Sequence, residues 1–241
     1  MTHDAGTYHR GTLAAISILC GLLELAPALL GAQTTTFDPG TDFSVASNPA
    51  GVWQYGYSAT NSLAPNQFHL DRYAQHQGGV VFWQPDSVES AQQPAHYPYV
   101  AFNTDKSHTD NSIGWAIRAG EVAMEASNTG QYSLLRFVAP KGGTYRVTAR
   151  FEGIHFGLST TDVHILHDTT SLFAADIEGY GGDSTSHTIE GAHPAASYSG
   201  EVQLKAGDTI TFAIGYGKNK SHVCDTTGLI ASITLATAKG H

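Results

Sequence analysis

The sequence predicts an all-β fold, a two-layer antiparallel β-sandwich of the jelly-roll type. From Thr34 onward, apolar residues recur with the period of two that turns one side of a strand toward a core. Glycine, with 26 residues in the chain, separates these segments together with Pro, Asn, Asp and Ser. No segment after the N-terminus has a long helical period. Short strands without helices between them are typical of a sandwich.

The clearest alternation occurs in the stretch TYRVTARFEG. Its apolar residues are expected to face the core: Tyr145, Val147, Ala149 and Phe151. The residues between them are expected to lie on the opposite face: Arg146, Thr148, Arg150 and Glu152. The stretch DTITFAIGYG repeats this pattern with Ile210, Phe212 and Ile214. Both are predicted to be half-buried antiparallel strands.

Shorter strands are predicted throughout the rest of the chain. They lie at 52–57, 78–83, 97–102, 112–120, 131–140, 161–167, 171–177, 199–207 and 229–235. Two turn sequences, APKGGTYRV and LKAGDTITF, predict that a strand ends and the next returns beside it, as in a hairpin. The polar stretch 84–96 is predicted to be a surface loop, with an interdomain linker as the alternative.

The N-terminus has the plan of a secretory signal peptide. Arg10 precedes a long apolar run that ends in the small residues Gly31 and Ala32. We therefore predict a signal peptide at 1–32, a single β-sandwich domain at 33–241, and a secreted, extracellular product. Retention of the run as a membrane anchor is the alternative, because its length approaches that of a spanning helix.

Composition limits the classes of partner. The chain carries 12 basic and 21 acidic residues and no basic run, so nucleic acid is not an expected partner. After signal cleavage we expect no membrane association either. Cys20 would be removed with the signal peptide, which leaves Cys224 without an internal disulfide partner.

Sequence motifs favour a non-catalytic protein. The histidines His155, His164 and His167 lie close together, but positions 164 and 167 on one strand would face opposite sides. Neither HExxH nor GxSxG is present, and Ser184 in GGDSTS lies among turn-forming residues. No pair of carboxylates stands out as a glycosidase acid and base. Whether the protein is an enzyme stays open, with no activity the favoured interpretation.

Three stretches carry a resemblance to a known class of protein. LLRFVAPKGGTYRVTARFEG and GEVQLKAGDTITFAIGYGKNKSHVCDTTGLIASITL together resemble an uncharacterised β-sandwich region of secreted bacterial proteins. Many proteins with that region carry a C-terminal sorting tag. The opening DFSVASNPAGVWQYGY is similar to the start of such regions, so the resemblance spans about residues 40 to 235. It implies a likeness to carbohydrate-binding jelly rolls. The final ITLATAKGH lacks the features of a sorting tag.

A ligand-binding loop is predicted between the last two strands, where 217–223 is expected to be a hairpin loop at the sandwich edge, with Tyr180 in a neighbouring glycine-rich turn. Tyr216 and Tyr180 are flanked by glycines, so their rings are expected to face solvent and stack on sugar rings. Asn219 and Lys220 offer donors and acceptors for hydroxyl groups. Asp225, beside two threonines, is predicted to satisfy amides in a local turn, with a calcium ligand as the alternative. No other cofactor is expected.

These features support three functional interpretations. The first is a secreted, non-catalytic sandwich that binds a polysaccharide or another cell-surface polymer. The second is a structural or adhesion domain without a small-molecule ligand, and the third is a glycan-active hydrolase. The positions of Trp53, Trp83 and Trp115 discriminate between them, because sugar binding favours exposed rings whereas a structural module needs only buried ones.

Overall fold

The computed structural model describes residues 1, 3, 34–77, 79–85, 97–104, 107–110 and 114–236. The chain divides into two units, Met1–Gly31 and Ala32–His241, and the architecture below is that of the second. The predicted signal peptide, except for residues 1 and 3, and most of the polar stretch 84–96 lie outside the described residues. No helix within the described ranges is long and apolar enough to cross a membrane.

Strands and one short 3-10 helix, Pro65–Gln67, make up the regular structure of the described chain. The strands in the first half are β1 (Thr35–Phe37), β2 (Trp53–Ser58), β3 (Phe68–Leu70), β4 (Tyr73–Gln77), β5 (Val80–Gln84), β6 (Tyr99–Asn103), β7 (Ser107–Asp110), β8 (Trp115–Arg118) and β9 (Val122–Glu125). Those in the second half are β10 (Ser133–Val138), β11 (Gly143–Gly153), β12 (Ser159–His167), β13 (Thr170–Tyr180), β14 (Glu190–His193), β15 (Ala195–Leu204), β16 (Thr209–Ile214) and β17 (Thr227–Leu235).

Two antiparallel sheets contain almost all of these strands, which confirms the predicted sandwich. Sheet A has the order β15-β11-β17-β9-β6-β5-β4, with β1 also pairing with β17. Sheet B has the order β14-β13-β12-β16-β10-β2-β3, and β7 pairs with β8 alone. The chain passes repeatedly from one sheet to the other between β10 and β17, as in a jelly roll.

The main core lies between the sheets and follows the predicted alternation. Tyr145, Val147 and Phe151 are fully buried on the inner face of β11, and Phe212 is fully buried on β16. Glu152 was predicted to lie on the opposite, solvent-facing side, yet it is also fully buried. Its carboxylate is covered by two arginines, which explains how a charged residue lies there.

A second core covers the outer face of sheet A. Phe82 and Ala101, on β5 and β6, point away from the main core and pack with Trp115 and Ile117 of β8. Both faces of β5 are therefore buried, as its uniformly buried pattern shows. A strand buried on both faces is expected to have a continuous apolar sequence, and VVFW within GGVVFW is such a sequence.

The two turns predicted to close hairpins instead connect the sheets. APKGG joins β10 of sheet B to β11 of sheet A, and LKAGD joins β15 of sheet A to β16 of sheet B. The loop Gly217–Val223 was also predicted to be a hairpin loop, but it joins β16 of sheet B to β17 of sheet A. A turn sequence specifies that the chain reverses, whereas the pairing partner depends on long-range packing.

Candidate functional site

The predicted binding loop is tied to strand β12 by hydrogen bonds. The Tyr216 ring is partly buried against the turn at Gly130, where a Cβ would lie 2.8 Å from the ring. The Asn219 amide donates to the Thr160 hydroxyl at 2.5 Å, and its oxygen accepts from the Ser221 amide at 3.0 Å. Lys220 is exposed. Asn219 and Lys220 are thus the exposed members of the predicted set.

Asp225 is buried beneath this loop rather than displayed on it. Its Oδ1 accepts from the amide of Thr160 at 2.7 Å and from the Thr160 hydroxyl at 3.0 Å. The expected local turn is therefore replaced by a contact with β12, 65 residues away. Burial raises the pKa of Asp225 to about 6. Asp225 is not among the described side chains that converge as metal ligands.

The Tyr180 prediction of an exposed ring is wrong. Tyr180 is fully buried, and its hydroxyl donates to the backbone oxygen of Asp183 at 2.9 Å. Its ring packs edge-on against His187, at 4.9 Å between centroids, and against Phe156. The flanking glycines serve close packing instead of exposure, because a Cβ on Gly182 would lie 3.0 Å from the Tyr180 ring.

All three tryptophans are buried. Trp53 has no exposed surface, and Trp115 and Trp83 retain only 2% and 6%. The Trp83 indole donates to the backbone oxygen of Ser44 at 2.7 Å, and its ring stacks on Tyr55. None of the three can serve as an exposed platform for a sugar ring.

A concave pocket, which we call the Asp71 pocket, lies beside Trp83 at the edge where β2 and β3 meet the start of β4. Its volume is about 780 Å³, within the range of small-molecule sites. Residues from three strands and two loops line it: Ala46, Ser47, Asn48, Gln54, Tyr57, Phe68, His69, Leu70, Asp71, Arg72 and Trp83.

Asp71 is the unusual member of this lining. It is 2% exposed, and neither carboxyl oxygen has a hydrogen-bond partner among the described residues. Burial raises the pKa of Asp71 well above its ordinary value. A buried polar group without a partner costs free energy, typically about 1–3 kcal/mol. A buried group of this kind calls for an explanation, such as a functional role or a bound partner that completes its hydrogen bonds.

Asn48 holds the backbone of the pocket in place. Its amide donates to the backbone oxygens of Tyr55 and Asp71, at 2.7 and 2.8 Å, and its oxygen accepts from the Tyr55 amide at 3.0 Å. Two of these bonds join the loop before β2 to β2 itself, and the third joins that loop to Asp71. The pocket wall is therefore braced without the Asp71 carboxyl, which no element of the described fold uses.

Two rings and two long polar side chains flank Asp71. The Tyr57 and His69 rings lie 5.6 Å apart between centroids, at 32° to each other. Tyr57 is half-buried and His69 is exposed, so an apolar surface with polar edges borders the opening. Gln54 and Arg72 also line the pocket, with Arg72 exposed.

A buried carboxyl pair elsewhere in sheet A has a structural environment. Arg118 and Arg150 both form ion pairs with Glu152. Glu121 is fully buried nearby, and its Oε2 accepts from the Arg118 amide at 2.8 Å. Burial, and then the charge of Glu152, raise the pKa of Glu121 to about 8. Two arginines cover this pair, which is not arranged as a glycosidase acid and base across a cleft.

Ser184 lies in a surface turn, as predicted. It is exposed, and the turn is closed by the Ser186 amide donating to the backbone oxygen of Asp183 at 3.0 Å. The Asp183 carboxylate accepts from the amide and hydroxyl of Thr185, at 2.9 and 2.8 Å. These contacts make the Gly-Asp-Ser segment an Asx turn.

Comparison with known proteins gives matches of fold only. Neither a protein family model nor a curated protein sequence matches the chain. A family 35 carbohydrate-binding module from Clostridium thermocellum is 15% identical over 54% of this chain and 87% of its own, with a TM-score of 0.31. The ZmpB structure from Clostridium perfringens that contains CBM51-2 with GlcNAc is 9% identical, with a TM-score of 0.33. That match covers 52% of this chain and 23% of the ZmpB chain.

The structures that resemble this chain are of more than one kind. Several are carbohydrate-binding modules, whereas pika GITRL is 16% identical over 43% of this chain and 77% of its own, with a TM-score of 0.25. At these identities and TM-scores the solved structures indicate neither a family nor a ligand for the chain.

Proposed function

We propose that the protein is a secreted, non-catalytic β-sandwich that binds a glycan or another extracellular polymer in the Asp71 pocket. The observation that carries the proposal is Asp71, a residue of the pocket lining whose buried carboxyl lacks a hydrogen-bond partner in the described fold. We prefer the pocket to the predicted loop, because Asn219 and Asp225 of that loop already bond to β12.

Sugar chemistry matches this lining. A sugar hydroxyl both donates and accepts, so it serves Asp71 whether the carboxyl is ionised or protonated. The C–H face of a sugar ring is apolar and packs on aromatic rings such as those of Tyr57 and Phe68. Gln54 and Arg72 provide donors for further hydroxyl or carbonyl oxygens.

The expected affinity of a single site is weak. Stacking on one or two rings and a few hydrogen bonds are partly offset by the ordering of the ligand and of exposed side chains such as Arg72. We expect dissociation constants on the order of micromolar to millimolar. A polymer that engages several copies would bind more tightly.

Binding is tested by pull-down of the protein on a panel of insoluble polysaccharides, followed by calorimetry with oligosaccharides of the best polymer. Asp71→Leu keeps the branched shape of the side chain and removes its capacity to form hydrogen bonds with a ligand, so binding should be lost. Tyr216→Ala is the matched variant for the loop and should bind normally. Loss of binding in Tyr216→Ala alone would transfer the site to the loop. Absence of binding to any polymer would overturn the proposal.

The buried tryptophans favour a second candidate, a structural or adhesion domain without a small ligand. Such a domain needs its rings only for packing. In that case Asp71→Leu would change stability, while the wild-type protein would show no saturable glycan binding.

A further inference from the structure

Three potential metal ligands converge at one end of the sandwich, outside the Asp71 pocket. They are His167 at the end of β12, Asp168 in the turn to β13, and Asp208 in the turn before β16. The His167 Nε2 lies 3.6 Å from Asp168 Oδ2 and 3.5 Å from Asp208 Oδ2. All three ligand atoms lie within 4.8 Å of one another.

The backbone fixes this arrangement. His167 pairs with Ile210 in the β12–β16 register, so the end of β12 lies beside the start of β16. Asp168 has a φ of +50°, a turn conformation that Asp tolerates better than most residues. Its Oδ1 accepts from the amide and hydroxyl of Thr209, both at 2.9 Å, which leaves Oδ2 directed elsewhere.

Asp208 is held in the same manner by its own turn. Its Oδ2 accepts from the Lys205 amide at 2.7 Å. Both carboxylates are therefore oriented by backbone amides before any ion arrives, which reduces the ordering cost of binding.

The separations suit ligands of a shared ion better than direct hydrogen bonds. The two N···O distances exceed the usual 2.7–3.2 Å, and the buried His167 Nε2 has no hydrogen-bond partner within the described chain. Two ligands about 2.0–2.2 Å from a tetrahedral zinc ion are separated by roughly 3.3–3.6 Å. We propose that His167, Asp168 and Asp208 bind one divalent ion of the zinc class.

The donor set selects the class of ion. One imidazole nitrogen with two carboxylates suits zinc and its first-row neighbours, whereas calcium prefers six to eight oxygen ligands. The side chains are partly exposed, at 25%, 47% and 25% for His167, Asp168 and Asp208, so water can complete the coordination. Arg136 interacts electrostatically with Asp168, but its one positive charge is outweighed by the two carboxylates.

Calorimetric titration of chelator-treated protein with zinc chloride tests the site. We expect saturable binding that His167→Ala and Asp208→Asn each weaken at least about tenfold. His187→Ala is the matched control, because His187 faces one carboxylate, Glu190, at 3.2 Å, whereas His167 faces two. This control should bind zinc as the wild type does, and calcium should not displace zinc. The Asp208→Asn side chain can still accept from Lys205, which preserves the turn.

A second measurement separates the site from other histidines. Zinc should raise the melting temperature of the wild type and of His187→Ala, and should leave that of His167→Ala unchanged. Cobalt should give a visible absorption band that the same substitution removes. Equal zinc affinity in wild type and His167→Ala, or no zinc binding by the wild type, would overturn the proposal. In that outcome His167, Asp168 and Asp208 do not form a metal site.

Discussion

Individual carboxyl groups in this protein have very different environments despite similar burial. Glu152 is paired with two arginines, Glu121 shares its surroundings with Glu152, and Asp71 has no partner in the described fold. The alternation of β11 predicted the positions of Tyr145 and Phe151 because period-two burial is local. It could not predict the burial of Glu152, because Arg118 comes from a strand 34 residues away.

Asp71→Leu should stabilise the protein while abolishing ligand binding. The substitution removes a buried, unpartnered carboxyl and adds apolar surface, so we expect a gain of about 1–3 kcal/mol in the free energy of unfolding. Urea denaturation at pH 7 measures it. Asp42→Leu is the control, since Asp42 is exposed and accepts from the Trp53 indole. A destabilised Asp71→Leu protein would show that the carboxyl has a structural partner.

Glu121→Gln should remove a pH dependence of stability. The pKa of Glu121 is about 8 in the folded state, above its ordinary 4.5, so the folded state binds the proton more tightly. The wild-type free energy of unfolding should therefore fall as pH rises from about 4.5 to 8. Glutamine resembles protonated Glu121 and does not titrate, so the Glu121→Gln protein should not lose this stability as pH rises. Relative to wild type, Glu121→Gln should gain more than about 1 kcal/mol at pH 8.5 and little at pH 5.

The free energies of unfolding of wild type and Glu121→Gln are measured by denaturation at pH 5 and pH 8.5. Because both proteins contain Asp71 and Asp225, the difference between them cancels the contributions of these two groups. A difference between wild type and Glu121→Gln that stays constant from pH 5 to pH 8.5 would contradict the raised pKa.

At the scale of elements, strands were predictable and their partners were not. Most predicted strands appear within a few residues of their expected positions, because alternation and glycine spacing are local signals. The sequence did not predict β1, β3, β4, β7, β9 and β14, since three to five residues cannot establish a period. The turns before β11 and β16 connect the two sheets instead of forming the predicted hairpins, because the whole core decides which sheet a strand joins.

The candidate sites show the same limit. The Asp71 pocket combines residues from separate strands and loops, and the His167 cluster needs a carboxylate 41 residues away in sequence. Asn219 was predicted to bind a ligand and Asp225 to satisfy local amides, but both form hydrogen bonds with Thr160 on β12. Only the folded register brings such groups together.

Gly217→Ala should destabilise the loop between β16 and β17. Gly217 has a φ of +67°, and a Cβ there would lie 1.9 Å from the backbone oxygen of Thr160. We expect a loss of at least about 2 kcal/mol. Gly51→Ala is the control, because Gly51 has a φ of +57° with open space around it, and it should cost about 1 kcal/mol. Equal losses would show that the loop moves away from Thr160 at little cost.

The described sandwich contains three buried apolar clusters, and the two largest are cores that share strands. Val100 faces the main core and Ala101 the second, so neither core can be lost without disturbing β6. We therefore expect one cooperative unfolding transition for the sandwich. Phe82→Ala in the second core should lower the free energy of unfolding by about 3–5 kcal/mol. The protein should still unfold in one transition. Calorimetry is the measurement, and two separate transitions would indicate that the cores unfold independently.

Export is the other whole-molecule prediction. An apolar run followed by Gly31 and Ala32 precedes the sandwich in sequence. Mass spectrometry of protein recovered outside the cells should therefore begin near Gln33. An intact Met1 on protein found only inside the cells would contradict the prediction.

The pairing of β1 with β17 brings the two ends of the described sandwich side by side, with Thr35 opposite Leu235. A few flexible residues would therefore suffice to connect Ala236 to Thr34 without moving either strand. New termini could then be opened at Ala206 and Gly207, an exposed turn where a glycine Cβ would meet nothing. Such a circular permutant should keep the fold, because the connection between neighbouring strands, rather than the order of synthesis, is what the sheet requires.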